Sequence, residues 1–237
     1  MTSVIYVSAL IDIGSSVKLP EHRIRLFKHL ADSGLPIHLF LSRAFSQEYN
    51  LIVGIRQNVR VEIIELAQLE TYGELADMSY AVPASANPEK DTAEYHIVQN
   101  AKIEFVERVR RAHASTHYAW IDFNICQMFK NIPECVEYLR NKIRLQPGLH
   151  MPGCWHVGSD YDSLFKSISW RFCGSFFIGD AESVEKFYRV YREQFKKIVA
   201  EQGILTWEVN IWHYMELNDL LRCNWYMADH NDSIIRC

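Results

Sequence analysis

Two stretches of the chain are apolar almost without interruption and stop abruptly at an acid. Val4-Ile5-Tyr6-Val7-Ser8-Ala9-Leu10 runs on through Ile11 to Asp12, and Tyr118-Ala119-Trp120-Ile121 runs straight into Asp122. Such runs predict strands covered on both faces, as in a largely parallel sheet, with their functional groups at the carboxyl ends. Asp122-Phe123-Asn124 reads as a D-x-N element. On an extended backbone its two oxygen-bearing side chains would share one side, two residues apart.

Elsewhere the pattern alternates between strand and helix periods. Gly14-Ser15-Ser16 predicts a turn. Pro20 then suits a first helical turn, with Ile24, Phe27 and Leu30 at helical spacing until Gly34. Residues 36–41 and 59–66 predict strands flanking a short helix near 47–54, so the first third of the chain reads βαβαβ. Periodicity fades over 67–90, and Ala84-Ser85-Ala86-Asn87-Pro88 predicts a loop, the length of which fits a substrate-covering flap or a mobile segment. Asp91-Thr92-Ala93-Glu94 resembles a capping box opening one long helix. Its apolar stripe is Ile97, Val98, Ala101, Phe105, Val106 and Val109, and its basic end, Arg108 to Arg111, reads as solvated.

After the D-x-N strand, Asn131 and Pro133 open a helix to about 145. Residues 149–155 predict a strand and Gly158-Ser159-Asp160 a turn. Residues 171–180 predict a strand containing Gly174, a position that marks close approach of a ligand or another backbone. Asp180 caps a long amphipathic helix that Gly203 ends. A short aromatic helix over 206–217 and a strand over 223–227 follow. With no repeat or linker, the whole chain, 1–237, reads as a single α/β domain.

Composition narrows the function. A net charge of −4 gives no general affinity for nucleic acid or anionic membranes, so an anionic partner must be held by a metal or a few basic residues. No apolar run approaches the ~20 residues of a membrane helix. The start of the chain reads as a first strand and not as a signal peptide. The six cysteines (126, 135, 154, 173, 223, 237) contain no C-x-x-C pair. Their spacing fits neither a zinc site nor a disulfide framework, so they read as reduced and mostly structural, in a cytoplasmic protein.

The signatures of P-loop NTPases, dinucleotide-binding dehydrogenases, α/β-hydrolases and zincins are absent. What remains is a set of acids and one histidine at element ends. Asp122 and Asn124 suit a hard divalent cation shared with a diphosphate, or Asp122 simply caps a turn. His230, between Asp229 and Asp232, is either a third ligand or a surface residue. Glu208, among bulky apolar neighbours, is either a base beside an acceptor hydroxyl or a first-turn glutamate favoured by the helix dipole. Lys102 and Asn100 lie on the helix before the D-x-N strand, where a lysine is ordinarily solvated. Arg171, at a strand start, suits a phosphate. A phosphohydrolase with Asp12 as nucleophile would need a second acid at position 14, which is Gly14.

Four segments together carry a resemblance: Ala9-Leu10-Ile11-Asp12-Ile13-Gly14, Val98-Gln99-Asn100-Ala101-Lys102, Trp120-Ile121-Asp122-Phe123 and Gly174-Ser175-Phe176-Phe177-Ile178-Gly179. In that order they resemble the HtrL/YibB family, proposed to be glycosyltransferases, and the chain is also similar to small viral capsid-glycan transferases. Ala228-Asp229-His230-Asn231-Asp232 looks like the metal-binding tail of several GT-A glycosyltransferases. The resemblance implies a GT-A αβα sandwich that binds a nucleotide-sugar donor, a glycan or glycoprotein acceptor, and Mn²⁺ or Mg²⁺. It puts Asp122, Asn124 and His230 on the metal, and Asp12 by the nucleoside. Lys102 falls near the donor, Gly174 and Ser175 by the sugar, and Glu208 becomes the catalytic acid or base. Asn124 stands where that pattern has a carboxylate, which lowers the expected metal affinity. The alternative is a non-catalytic nucleotide-sugar or glycan-binding module with a degenerate site.

Overall fold

The structure is a computed structural model describing residues 3–14, 20–85, 87–156, 158 and 162–237. The turn residues Ser15, Ser16, Ser159 and Asp160, and Ala86 of the loop, lie outside the described residues. Seven strands form one sheet: β1 (Val4–Leu10), β2 (Ile37–Leu41), β3 (Val59–Ile63), β4 (His117–Ile121), β5 (Leu149–Gly153), β6 (Phe176–Asp180) and β7 (Asn224–Met227). Their order is β3-β2-β1-β4-β6-β5-β7. Pairing is parallel except where β6 runs against β4 and β5, so β6 alone is reversed.

Helices cover both faces, completing an αβα sandwich. On one face lie α1 (Pro20–Ala31), α2 (Ser46–Ile52) and α6 (Ile132–Asn141). On the other lie α3 (Glu70–Leu75), α4 (Ala93–Asn100), α5 (Lys102–Ala112), α7 (Ala181–Gln202) and α8 (Glu208–Leu217). The strands sort their side chains by the two-residue period: Tyr118 and Trp120 of β4 join the second core, Ala119 and Ile121 the first. All five β4 residues are buried, as a central strand between two layers requires.

Asn131 and Asp180 cap the helices expected to follow them, while the cap expected in the box opening at Asp91 falls one residue later, on Thr92. Thr92 accepts a hydrogen bond from Tyr95 N at 3.3 Å, Asn131 from Glu134 N at 3.2 Å and Asp180 from Ser183 N at 2.8 Å, each satisfying an orphan donor of a first helical turn. Gly203 ends α7 with φ +63°, a left-handed cap that costs glycine nothing.

Four expectations are corrected. The helix opened by Thr92 is two helices, because Ala101 (φ −82°, ψ −1°) breaks the run and restarts it at Lys102. The faded stretch 67–90 is not all loop: α3 forms there, its first amides held by the buried Glu104 carboxylate (Glu70 N 2.8 Å, Thr71 N 3.0 Å). The strand expected over 171–180 begins only at Phe176, so Gly174 precedes it in a turn. The basic end of α5 is also less solvated than expected, since Arg110 and Arg111 both bond to the buried Glu107.

The reversal of β6 decides where function can sit. Ile121, the last residue of β4, pairs with Phe176, the first of β6, and Asp122 N donates to Ser175 O at 2.9 Å. The residues leaving β4 and those entering β6 therefore share one sheet edge. Asp12 after β1, Cys154 after β5 and the segment after β7 reach that same edge, because these strands run parallel to β4.

Candidate functional site

A cavity of about 390 Å³ opens at this edge, where the chain leaves β1 on one side for β2 and returns on the other as β4. Such a switch point is where open α/β sheets form a crevice beyond their strand ends. Asp12, Lys102, Asp122, Asn124, Gly174, Ser175, Glu208 and His230 all line it. Eight of the nine candidate residues thus come together from six separate segments.

At its centre is a buried acid–lysine–acid cluster. Lys102 Nζ lies 2.7 Å from Glu208 Oε1, 2.9 Å from Gly174 O and 3.3 Å from Asp122 Oδ1. An ammonium has three donors, and here it meets three acceptors. The break at Ala101 makes this geometry, since it places Lys102 at the first residue of α5, facing the sheet edge. Burial pulls the Lys102 pKa down, but Asp122 and Glu208 together hold it above the usual lysine value, so the side chain stays charged. The ordinary picture of a solvated helical lysine does not hold. Equally, an ammonium with its donors matched braces two carboxylates and does not reach for a phosphate.

Glu208 is the first residue of α8, as the dipole reading required, and it is also buried in the cavity wall. Gly174 is what lets it fit: a Cβ there would come within 2.1 Å of Glu208 Oε1. The close approach expected at this glycine is therefore made by a side chain. Asp122 holds a second bond through Oδ1, from Trp120 Nε1 at 2.7 Å.

The D-x-N geometry is corrected. The strand ends at Ile121, and Asn124 (φ −101°, ψ 13°) already begins a 3₁₀ turn over Ile125–Gln127. The two side chains reach the cavity through a turn and not along an extended strand. Phe123 fixes that turn by stacking on Phe27 of α1, centroids 4.4 Å apart and rings nearly parallel. Asp12 is exposed and local, its Oδ1 accepting from Gly14 N at 3.0 Å.

Arg171 is not at the cavity, which corrects its expected place near the donor. Its guanidinium forks onto Glu216 with two bonds of 2.6 Å, donates to Trp155 O at 3.1 Å and stacks 4.2 Å above the Trp225 ring. A bidentate, stacked arginine of this kind ties α8 to β7. Asn100 is likewise structural, its Nδ2 bridging His96 O and Thr206 O.

Sequence reading missed Arg23, Lys90 and Tyr95, which also line the cavity. Arg23 Nε lies 3.5 Å from Asn124 Oδ1. Burial lowers the pKa of Arg23 while Asp122 and Tyr95 oppose that shift. Lys90 pairs with Asp91 at 3.2 Å and stands 4.6 Å over the Tyr95 ring. Nothing in their spacing marked them, since each is a single polar residue brought in by packing.

His230 lines the cavity too, but its ring stands edge-on to Trp170, and its Nδ1 lies 3.7 Å from Cys154 Sγ. Among the described residues, the one group of three or more His, Cys, Asp or Glu side chains with ligand atoms within 4.8 Å of one another is Cys154, Cys173 and His230.

Fold and site thus define an αβα protein with a crevice at its topological switch point, lined by both apolar and charged side chains. The profile of HtrL_YibB, a bacterial protein of unknown function, matches residues 47–230, more than three quarters of the chain, and the chain belongs to that family. No curated protein matches it. Among the described residues, no helix is long and apolar enough to cross a membrane.

Proposed function

We propose that this protein is a GT-A-type glycosyltransferase, moving a sugar from a nucleotide-diphosphate sugar to a hydroxyl of a glycan or protein acceptor. The convergence of eight candidate residues on one cavity at the switch point supports the reading. Asp122 and Asn124 would hold Mn²⁺ or Mg²⁺ through their side-chain oxygens, while Trp120 and Lys102 hold Asp122 Oδ1 in place. A divalent ion there supplies charge neutralisation at the leaving diphosphate. Arg23, beside Asn124, is the cation for a diphosphate oxygen.

The acceptor oxygen attacks the anomeric carbon as the bond to the diphosphate oxygen breaks, its electron pair leaving with the diphosphate. In an inverting course Glu208 takes the acceptor proton. In a retaining one it stabilises the cationic sugar, and the departing diphosphate oxygen takes the acceptor proton. Lys102 holds Asp122 and Glu208 at fixed separation, a positioning role. The six free thiols fit a reducing compartment such as the cytoplasm.

One observation favours a second reading. An ammonium 3.3 Å from Asp122, with Asn124 in place of an acid, leaves less negative charge for a cation than a pair of free carboxylates. A binding module that holds a nucleotide sugar without metal or turnover would have this feature. Incubation with a panel of nucleotide-diphosphate sugars, with Mn²⁺ or with EDTA, separates the two. The transferase reading expects a metal-dependent thermal shift with one donor class and release of its nucleotide. A shift indifferent to EDTA, without release, supports the binding module. No shift with any donor overturns both.

A further inference from the structure

We propose that Cys154, Cys173 and His230 form a binding site for a thiophilic divalent ion of the Zn²⁺ class, distinct from the oxygen ligands Asp122 and Asn124. The two thiol sulfurs lie 3.2 Å apart, and His230 Nδ1 is 3.7 Å from Cys154 Sγ. A tetrahedral ion with bonds of about 2.3 Å to sulfur and about 2.0 Å to nitrogen separates its ligand atoms by roughly 3.5–3.8 Å. Metal entry therefore requires the sulfurs to open by only about half an ångström. Three protein ligands leave a fourth tetrahedral position open, as in zinc sites that keep a water or substrate there, and Asp229 Oδ1 stands 3.9 Å from Cys154 Sγ.

The topology makes this a designed meeting and not a chance one. Cys154 leaves β5, Cys173 precedes β6, and His230 follows β7, three segments at one sheet edge. Backbone bonds hold the two cysteines across from one another: Cys173 N donates to Pro152 O at 2.7 Å and Cys154 N to Trp170 O at 3.0 Å. Trp170 stands edge-on to the imidazole, with centroids 4.4 Å apart, and fixes its ring plane. Sulfur and imidazole ligands select a borderline-soft ion, whereas Asp122 and Asn124 suit a hard one.

Binding releases protons: the two thiols become thiolates as the metal–sulfur bonds form, and both protons pass to solvent. The neutral imidazole donates a lone pair. Because Cys173 is followed directly by Gly174 and Ser175, an ion here would pin the cavity wall to the closing segment of the chain. This inference goes beyond the transferase reading and does not rest on it, although it moves His230 from the oxygen site to the sulfur site.

The test uses the full chain, kept reduced with a phosphine, stripped by chelator and titrated with Co²⁺ and then Zn²⁺. The expected result is a thiolate-to-cobalt charge-transfer band with the intense visible bands of a four-coordinate ion, saturating at one equivalent of Co²⁺ whatever the oxygen site takes up, and displaced by Zn²⁺. Cys173→Ser and Cys154→Ser should each remove or halve the charge-transfer band. His230→Ala should weaken binding by more than the roughly 10–100-fold that loss of an outer-shell partner costs. Cys173 is fully buried, so the half-buried Cys154 provides the variant least tied to folding. Asp122→Asn should leave the cobalt spectrum unchanged, which separates failure of this site from failure of the transferase reading. Absence of the charge-transfer band, equal binding in the cysteine variants, or a Cys154–Cys173 disulfide in the protein as isolated would overturn the proposal.

Discussion

The cavity edge carries two polar clusters built on opposite principles. Around Lys102 the ammonium is buried and its three donors meet three acceptors at 2.7, 2.9 and 3.3 Å. Around Cys154 the groups are two thiols and an imidazole, with Cys173 buried, Cys154 half-buried and His230 exposed, in contact at 3.2 and 3.7 Å. In the first cluster every lysine donor is used, and removing the lysine costs a great deal. The second brings sulfur and nitrogen atoms from three segments to face one another, held there by backbone bonds and by Trp170. A lysine with every donor matched is a brace already set, whereas converging sulfur and imidazole ligands mark a place for a partner.

The largest way to break this contrast is Lys102→Met. It leaves Glu208 and Asp122 without their cation, and removing one member of a buried pair costs about 3–5 kcal/mol. A chain of this size should lose roughly 10 °C in Tm, at about 2–4 °C per kcal/mol. The double variant Lys102→Met with Glu208→Gln should recover a good part of that loss. A single variant within 2 °C of the parent would show that the cluster is not what the geometry says.

Gly174→Ala comes next. The added Cβ would sit 2.1 Å from Glu208 Oε1, so the carboxylate must swing away from Lys102. Overpacking of this kind costs about 1–3 kcal/mol. We expect donor binding to fall further than stability does, measured by nucleotide-sugar titration beside denaturant unfolding. A variant with parental binding would remove Glu208 from the site.

The smallest effect is set by pH. His96, fully buried against the edge of Trp207 on the cavity wall, has neither ring nitrogen hydrogen-bonded among the described residues. Burial lowers its pKa from 6.5 to about 4. The unfolded chain therefore binds this proton more readily than the folded one. The stability from keeping His96 neutral is fully present well above pH 6.5 and is lost as pH falls through that value toward 4. Between pH 7 and pH 6 the loss is roughly half to three quarters of a kcal/mol. His96→Phe should flatten that part of the profile, and an unchanged slope would assign it to other groups.

Much of the frame was legible because it rests on local signals. The apolar runs into Asp12 and Asp122 are strands β1 and β4, and the caps at Thr92, Asn131 and Asp180 open the helices predicted there. What could not be read depends on contacts distant in sequence. Ala101 carries no helix-breaking signature, yet the break there aims Lys102 at Glu208, 106 residues away. α3 is too short to show a period and owes its capping to Glu104, 34 residues further on. The reversal of β6 has no local mark either, and it is that reversal which brings Gly174 and Ser175 beside Asp122. Spacing alone dismissed the cysteines as a metal site, because a pair 19 residues apart meets only through the pairing of β5 with β6. Arg171 failed for the same reason, since Glu216, its true partner, lies 45 residues on.

The most direct test of the central claim is calorimetric titration of nucleotide-diphosphate sugars, with Mn²⁺ and with EDTA, into the parent chain and Asp122→Asn. Asparagine keeps an oxygen for Trp120 Nε1 and leaves Lys102 paired with Glu208, so the fold is retained while the anionic metal ligand is lost. The account predicts saturable, Mn²⁺-dependent binding of one donor class to the parent, weakened at least about tenfold in Asp122→Asn, a loss of about 1.4 kcal/mol. Equal donor binding by the two proteins, or binding untouched by EDTA, would contradict it.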